Sequence, residues 1–223
     1  MRMRRKRNLD SFLTQYPDLL YILDKPCQNV VEALKHKSYL PLKEIFGKDK
    51  VELEIGCGKG AFICEKAKRN PDKAYLAVEV SKNVIVEACK LARAENVKNV
   101  RFLNCAAEIL PCFLPENSVE RIYLNFSCPF PKYTYASHRL TSRRFLETYK
   151  MYMCQGAEIH QKTDNMHFFE FSLEEYSACN FGIKNVSLDL HASDFEDNIV
   201  TEYEKRFTDL GMPIYRVEAF LKE

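Results

Sequence analysis

The sequence predicts an α/β fold: a doubly wound, mostly parallel sheet with an antiparallel last strand. Two observations lead there. From Val51 onward, short apolar runs alternate with amphipathic stretches of about 10–14 residues, the pattern of βαβ units. Three of the seven glycines fall within five positions, where the first of those runs ends.

The elements follow in order. Val51–Ile55 is a short apolar strand leading into the glycine turn. Ala61–Arg69 reads as a helix that stops before Asn70-Pro71, a turn signal. Ala74–Val80 is a strand, and Ser81 is the N-cap of a helix over Asn83–Glu95. Val100–Asn104 is a strand followed by a short helix to about Phe113. Val119–Phe126 is a strand that ends in the loop Cys128–Pro131. A helix over Leu140–Met153, a strand over Gly156–Lys162 and a helix over Met166–Ala178 come next. Strands over Ile183–Leu190 and Ile214–Leu221 finish the chain, with a polar helix over Ile199–Thr208 between them. So short a connection points to an antiparallel final strand. Residues 1–50 read as a basic extension with one lead-in helix, Asn29–Lys37, and residues 51–223 as the single folded domain.

Composition excludes several classes. No uninterrupted apolar run approaches the roughly 18 residues of a membrane span, and the basic start has no secretory apolar region behind it. Nine scattered cysteines, never spaced C-x-x-C, give neither a zinc set nor a disulfide framework. Reduced thiols and a cytoplasmic setting are expected. The net charge of +2 favours no partner, but Arg2, Arg4, Arg5, Lys6 and Arg7 put five cations in the first seven residues. Such a run grips phosphates or is a solvated tail.

The glycine turn reads Glu54-Ile55-Gly56-Cys57-Gly58-Lys59-Gly60. Glycines turn the chain sharply and bring its backbone close to a ligand at the carboxyl end of a strand. A dinucleotide turn spaces its glycines G-x-G-x-x-G around a pyrophosphate. Here the spacing is G-x-G-x-G, and Glu54 stands two residues before it. A carboxylate there repels a pyrophosphate and attracts the sulfonium and ammonium of S-adenosylmethionine. Glu79, at the end of the second strand, suits ribose hydroxyls. A nicotinamide-dependent oxidoreductase is therefore disfavoured, and a Rossmann-like methyltransferase is expected.

Farther along stand Asn125-Phe-Ser-Cys128-Pro-Phe-Pro-Lys132, then His138-Arg139-Leu140, Arg143-Arg144, Lys162-Thr-Asp164-Asn165 and Thr201-Glu-Tyr-Glu204. With the basic start and the glycine turn, these motifs resemble, in order and over nearly the whole chain, the bacterial single-chain tRNA (guanine-N7-)-methyltransferase family. The resemblance implies a class I S-adenosylmethionine-dependent methyltransferase fold. It implies methylation of N7 of a variable-loop guanosine (position 46) in tRNA, with no membrane partner, by a monomer or homodimer. Carried over, it gives Glu54, Gly56, Gly58, Gly60, Glu79 and Ala106 to the cofactor. It gives Lys132, Asp164, Thr201 and Glu204 to the substrate guanosine and its surroundings, and Arg139, Arg143 and Arg144 to the RNA backbone. No metal is implied.

Three positions depart from the family pattern. Cys128 stands where the family has Asp, Phe130 where it has Trp, and Ala106 where Asp is usual. Cys128 replaces a carboxylate beside the reaction centre with a poor acceptor, so a catalytically weak or inactive RNA-binding or S-adenosylmethionine-binding relative is the competing reading. A small-molecule methyltransferase fits less well, since the loop after the fourth strand is basic and Tyr-rich. Guanine N7 is a lone-pair nucleophile with no proton to lose, so positioning suffices. Asp164 is the candidate for accepting from guanine N1–H and N2–H₂, with Glu204 sharing that task or orienting Lys132. Local alternatives are an N-cap at Asp164, a capping box at Thr201 and Glu204, and a solvated face at the three arginines.

Overall fold

The computed structural model describes residues 9–24 and 30–222. The basic start from Arg2 to Arg7 lies outside the described residues. The strands are β1 (Leu20–Ile22), β2 (Val51–Ile55), β3 (Tyr75–Val78), β4 (Val100–Asn104), β5 (Val119–Asn125), β6 (Met153–Thr163), β7 (Phe181–Ser187) and β8 (Tyr215–Leu221). The α-helices are α1 (Leu9–Leu13), α2 (Val30–Ala33), α3 (Leu42–Phe46), α4 (Ala61–Arg69), α5 (Lys82–Ala94), α6 (Arg143–Lys150), α7 (Met166–Ala178) and α8 (Glu202–Thr208). The chain divides between Phe113 and Leu114 into two compact units.

In the first unit the strand order is β1-β4-β3-β2, and every pair is parallel. β2, β3 and β4 are almost wholly buried on both faces, as parallel strands between helix layers must be, and β2 carries Glu52 and Glu54 inside. Helix α5 buries Ile85, Val86, Ala88, Cys89 and Ala92, a stripe at helical spacing. β1 corrects the expectation that residues 1–50 stand apart from the sheet. Leu20 pairs with Phe102 and Ile22 with Asn104. Backbone bonds hold it, Phe102 N–H to Leu19 O at 2.7 Å and Leu23 N–H to Asn104 O at 3.2 Å. Three residues are too few to leave a readable alternation. The expected Asn29–Lys37 helix is shorter. Its described part is α2, after which Lys35 and His36 close three-residue turns onto Glu32 and Ala33.

In the second unit the order is β5-β6-β8-β7. β5 and β6 are parallel, and β8 runs antiparallel to both β6 and β7. The antiparallel last strand is as expected, but it inserts between β6 and β7 rather than adding outside them. The predicted helix over Leu140–Met153 is shorter, because Ser142 is its N-cap and Met153 already begins β6.

The pleat of β6 gives two faces. On one, Gln161 donates to Ser172 Oγ of α7 at 2.9 Å and accepts from Tyr176 Oη at 3.2 Å. The other carries Glu158, His160 and Lys162, paired across β8 with Phe220, Glu218 and Arg216. Ligand atoms of Glu158, His160 and Glu218 lie within 4.8 Å of one another. Arg121 meets Glu158 at 2.9 Å, Lys184 also bonds Glu158, and Arg216 bonds Glu218. These cations already compensate both carboxylates, so the group is an ion-pair cluster rather than a cation site.

Burial, reinforced by the Arg121 charge, pushes the His160 imidazole down to about 4 from its ordinary 6.5. The ring is therefore neutral and donates Nε2–H to Glu158 at 2.8 Å. Burial alone would raise Glu158, but its bonds to Lys184 and His160 outweigh that and hold it down to about 2. Both groups have folded values below their unfolded ones. The stability they contribute is complete above pH 6.5. It falls as the pH drops from 6.5 towards 4 through His160, and from 4.5 towards 2 through Glu158. Thermal melts from pH 7 to pH 5 should show the His160 part, at most about 1.4 kcal/mol per pH unit. His160→Gln should flatten that stretch. An unchanged slope would mean His160 does not carry it.

Candidate functional site

In the first unit the glycine turn follows β2 at the carboxyl end of the parallel strands. Gly56, Gly58 and Gly60 all hold positive φ, at 84°, 56° and 82°. The reasons differ. A Cβ on Gly60 would sit 2.8 Å from Ala88 Cβ, so this glycine lets α4 pack against α5. A Cβ on Gly56 or Gly58 would meet nothing within 4 Å, which leaves their backbone open to an approaching ligand. Glu54, at the inner end of the turn, is buried. Between them Cys57 is enclosed, and burial, with the nearby Glu54 and Glu79 charges, pushes its thiol well up. It is a packing residue, not a nucleophile.

Glu79 folds back onto this turn. Its two oxygens accept from Gly58 N–H at 3.3 Å and Ser81 N–H at 2.7 Å. Each oxygen keeps a further lone pair for a hydroxyl. Sequence reasoning passed over Asn104, the buried last residue of β4. Its Nδ2 donates to the carbonyls of Glu79 at 2.7 Å and Val80 at 3.1 Å, fixing the segment that carries the carboxylate. An amide closing an apolar strand was the available signal. Ala106 stands two residues on and caps the 3₁₀ turn Ala107–Cys112 with an extended backbone.

In the second unit the carboxyl ends of β5 and β6 lie side by side. Phe126 N–H reaches Lys162 O at 2.8 Å. The loop after β5 is strained: Phe126 and Phe130, neither a glycine, hold φ of 52° and 40°. Such outliers in bulky residues persist only where their surroundings enforce them. The Phe126 ring stacks with Tyr203 and Phe207 of α8, at 6.5 and 6.4 Å. Arg139 braces the far side, donating to Pro129 O at 2.9 Å and Phe130 O at 3.0 Å and lying 4.3 Å over the Phe171 ring. Two of the five guanidinium donors of Arg139 are thus engaged within the protein. Cys128 sits between the two strained residues with its thiol exposed. Lys132, Arg143 and Arg144 are exposed.

Asp164 follows β6 directly. The N-cap of α7 is Asn165, whose side chain accepts from Phe168 N–H at 2.8 Å. The capping alternative for Asp164 is thereby removed, and among the described residues nothing hydrogen-bonds its carboxylate. Thr201 and Glu204 do form the capping box: Thr201 Oγ1 accepts from Glu204 N–H at 3.0 Å, and Glu204 reaches back to Thr201 N–H.

Glu204 requires a correction. It is 0% exposed, and its oxygens accept from Lys162 Nζ at 2.6 Å, Asn198 Nδ2 at 2.5 Å, His191 Nε2 at 3.0 Å and Thr201 N–H at 3.5 Å. Four donors use the acceptor capacity of a carboxylate. Glu204 has none left for a base, and the lysine it orients is Lys162, not Lys132. The pair ties the start of α8 to the end of β6.

A family model described as "Putative methyltransferase" matches residues 48–217. The tRNA (guanine-N(7)-)-methyltransferase of Streptococcus thermophilus (strain CNRZ 1066) is 40% identical, with 100% of each chain covered. That of Bacillus subtilis (strain 168) is 42% identical over 98% of each. The chain belongs to the tRNA (guanine-N(7)-)-methyltransferase family. Among solved structures, an antibiotic-related methyltransferase shares the fold at TM-score 0.59 and 23% identity, over 81% of this chain and 92% of that one. A SAM-dependent methyltransferase from Aquifex aeolicus does so at 0.55 and 16%, over 97% and 100%. These two likenesses speak to fold alone.

Within this family member, removing one partner of the buried pair strands a charge. Glu204→Ala should cost about 3–5 kcal/mol in urea unfolding. The double change Lys162→Met, Glu204→Met should cost clearly less. Equal losses would show that the lost packing, not the stranded ammonium, sets the cost.

Proposed function

We propose that this chain transfers a methyl group from S-adenosylmethionine to N7 of a tRNA guanosine, the variable-loop guanosine at position 46, in the cytoplasm. Kinship along the entire chain with enzymes named tRNA (guanine-N(7)-)-methyltransferase supports the reading. Among the described residues no helix is long and apolar enough to cross a membrane.

The first unit fits this cofactor chemically. Two left-handed glycines with open space above them admit a ligand against the backbone. Glu54 and Glu79 supply negative charge for a sulfonium and an ammonium, and acceptors for ribose hydroxyls. Glu54 does not suit a pyrophosphate, whereas a ribose-binding carboxylate such as Glu79 serves either cofactor. S-adenosylmethionine, when bound, supplies an electrophilic methyl group.

The residues of the second unit position the base. Asp164, at a strand end with its carboxylate unused, accepts from guanine N1–H and N2–H₂, donors that adenine does not offer together. Thr201 and Glu204 act one step back, by fixing the start of α8. No general base is required, because N7 carries no proton, and rate comes from holding N7 in line and excluding water. An enzyme of this kind tolerates a thiol at Cys128, since the lost carboxylate is not a proton acceptor in the reaction.

Methyl transfer from labelled S-adenosylmethionine to unmodified tRNA, with chemical cleavage at N7-methylguanosine, should locate one variable-loop site. Absence of transfer, with tRNA still bound, would favour the inactive relative. Asp164→Ala should abolish transfer and leave S-adenosylmethionine affinity intact. A drop in cofactor affinity with RNA binding unchanged would refute that role. Cys128→Asp, placed at an exposed position, should fold normally and, if the thiol is a defect, raise the transfer rate. An unchanged rate would mean the loop is compensated elsewhere.

A further inference from the structure

The segment after Lys132 does not look like an electrostatic grip. Residues 133–138 form a 3₁₀ turn, Tyr133–His138, in which no residue is buried. The side chains from Tyr133 to Ser137 carry no cation, and His138 is the only titratable base. Aromatic rings take their place. Tyr133 is 89% exposed and Tyr135 48%. Tyr135 and Phe130 each lie 5.8 Å from the His138 ring, so three rings brace one another. Among the described residues no ring packs on Tyr133. The support beneath is rigid: Arg139 ties the carbonyls of Pro129 and Phe130, Ser142 Oγ donates to Ser137 O at 3.1 Å, and Tyr135 N–H bonds Lys132 O at 3.0 Å.

Exposed Lys132 precedes this turn, and exposed Arg143 and Arg144 follow it. Exposed rings on a stiff turn, flanked by cations, are the combination that binds unpaired nucleotides, with bases stacked on the rings and phosphates on the cations. A paired duplex offers no free base face to such a turn.

We propose that the Tyr133–His138 turn is a stacking platform for an unpaired base of the RNA substrate, with Tyr133 as the contacting ring. The inference rests on the tRNA reading above and adds the mode of contact. Stacking exchanges little counterion, so this part of the affinity is insensitive to salt, whereas phosphate contacts weaken steeply with it.

The chain has no tryptophan, so Tyr133→Trp in the full-length protein places a single reporter on the turn. Its emission should be quenched by unmodified tRNA and by a short oligouridylate, and little by an RNA duplex of the same length. Tyr133→Ala should weaken tRNA binding ~10-fold, with the slope of log affinity against log salt unchanged. Tyr133→Phe should keep wild-type affinity. Bound tRNA with unaltered tryptophan emission, or wild-type affinity in Tyr133→Ala, overturns the platform. If such a variant's wild-type parent still methylates tRNA, the functional reading survives. An emission shift on concentrating the protein without RNA assigns the ring to a second copy of the chain and also overturns it. A wild-type protein that binds neither RNA overturns both readings.

Discussion

A lysine and a glutamate withdrawn from water anchor the end of the sheet on which the candidate base-binding residues stand. Lys162 is 6% exposed and Glu204 0%, and moving both from water is repaid only if every donor and acceptor is met. The structure meets that demand with Asn198, His191, Thr201 and the Ile199 carbonyl. The pair thus fixes the last turn before α8 as well as α8 itself. Asp164, two residues beyond Lys162, inherits a fixed backbone. Tyr203 and Phe207, on the same short helix as Glu204, are held over Phe126.

The first unit positions its turn by backbone geometry, beside the buried carboxylate of Glu54. Three left-handed glycines make the turn, one for packing and two for access. Glu79 then holds that turn by accepting from Gly58 N–H, and Asn104 holds Glu79. The three strand ends are connected by hydrogen bonds that the parallel register brings within reach.

Charge is spent inside the protein more than its composition suggests. Arg121, Lys184 and Arg216 compensate the cluster on β6 and β8, Lys162 compensates Glu204, and Arg139 braces a loop. Among the described residues after β5, exposed cations near the expected substrate residues include Lys132, Arg143 and Arg144, with Lys205 and Arg206 on α8.

The elements that the sequence determined are those with a periodic apolar face or a bounded apolar run. The helices Ala61–Arg69 and Met166–Ala178 appear at the predicted bounds because one face of each is buried, and the five-residue strands Val51–Ile55 and Val100–Asn104 because turn residues bound short, nearly fully buried runs. The glycine turn was also legible, since only glycine adopts its backbone cheaply. Tertiary structure alone decided β1, whose three residues pair by backbone bonds that no side-chain pattern announces. It alone placed β8 between β6 and β7, because strand order depends on contacts between distant segments. It decided, too, which polar residues face outward. Glu204 shares its residue type with ligand-binding carboxylates, and Asp164 shares its type with helix caps. Only the partners that the fold brings within hydrogen-bond reach separate a carboxylate already saturated from one left open.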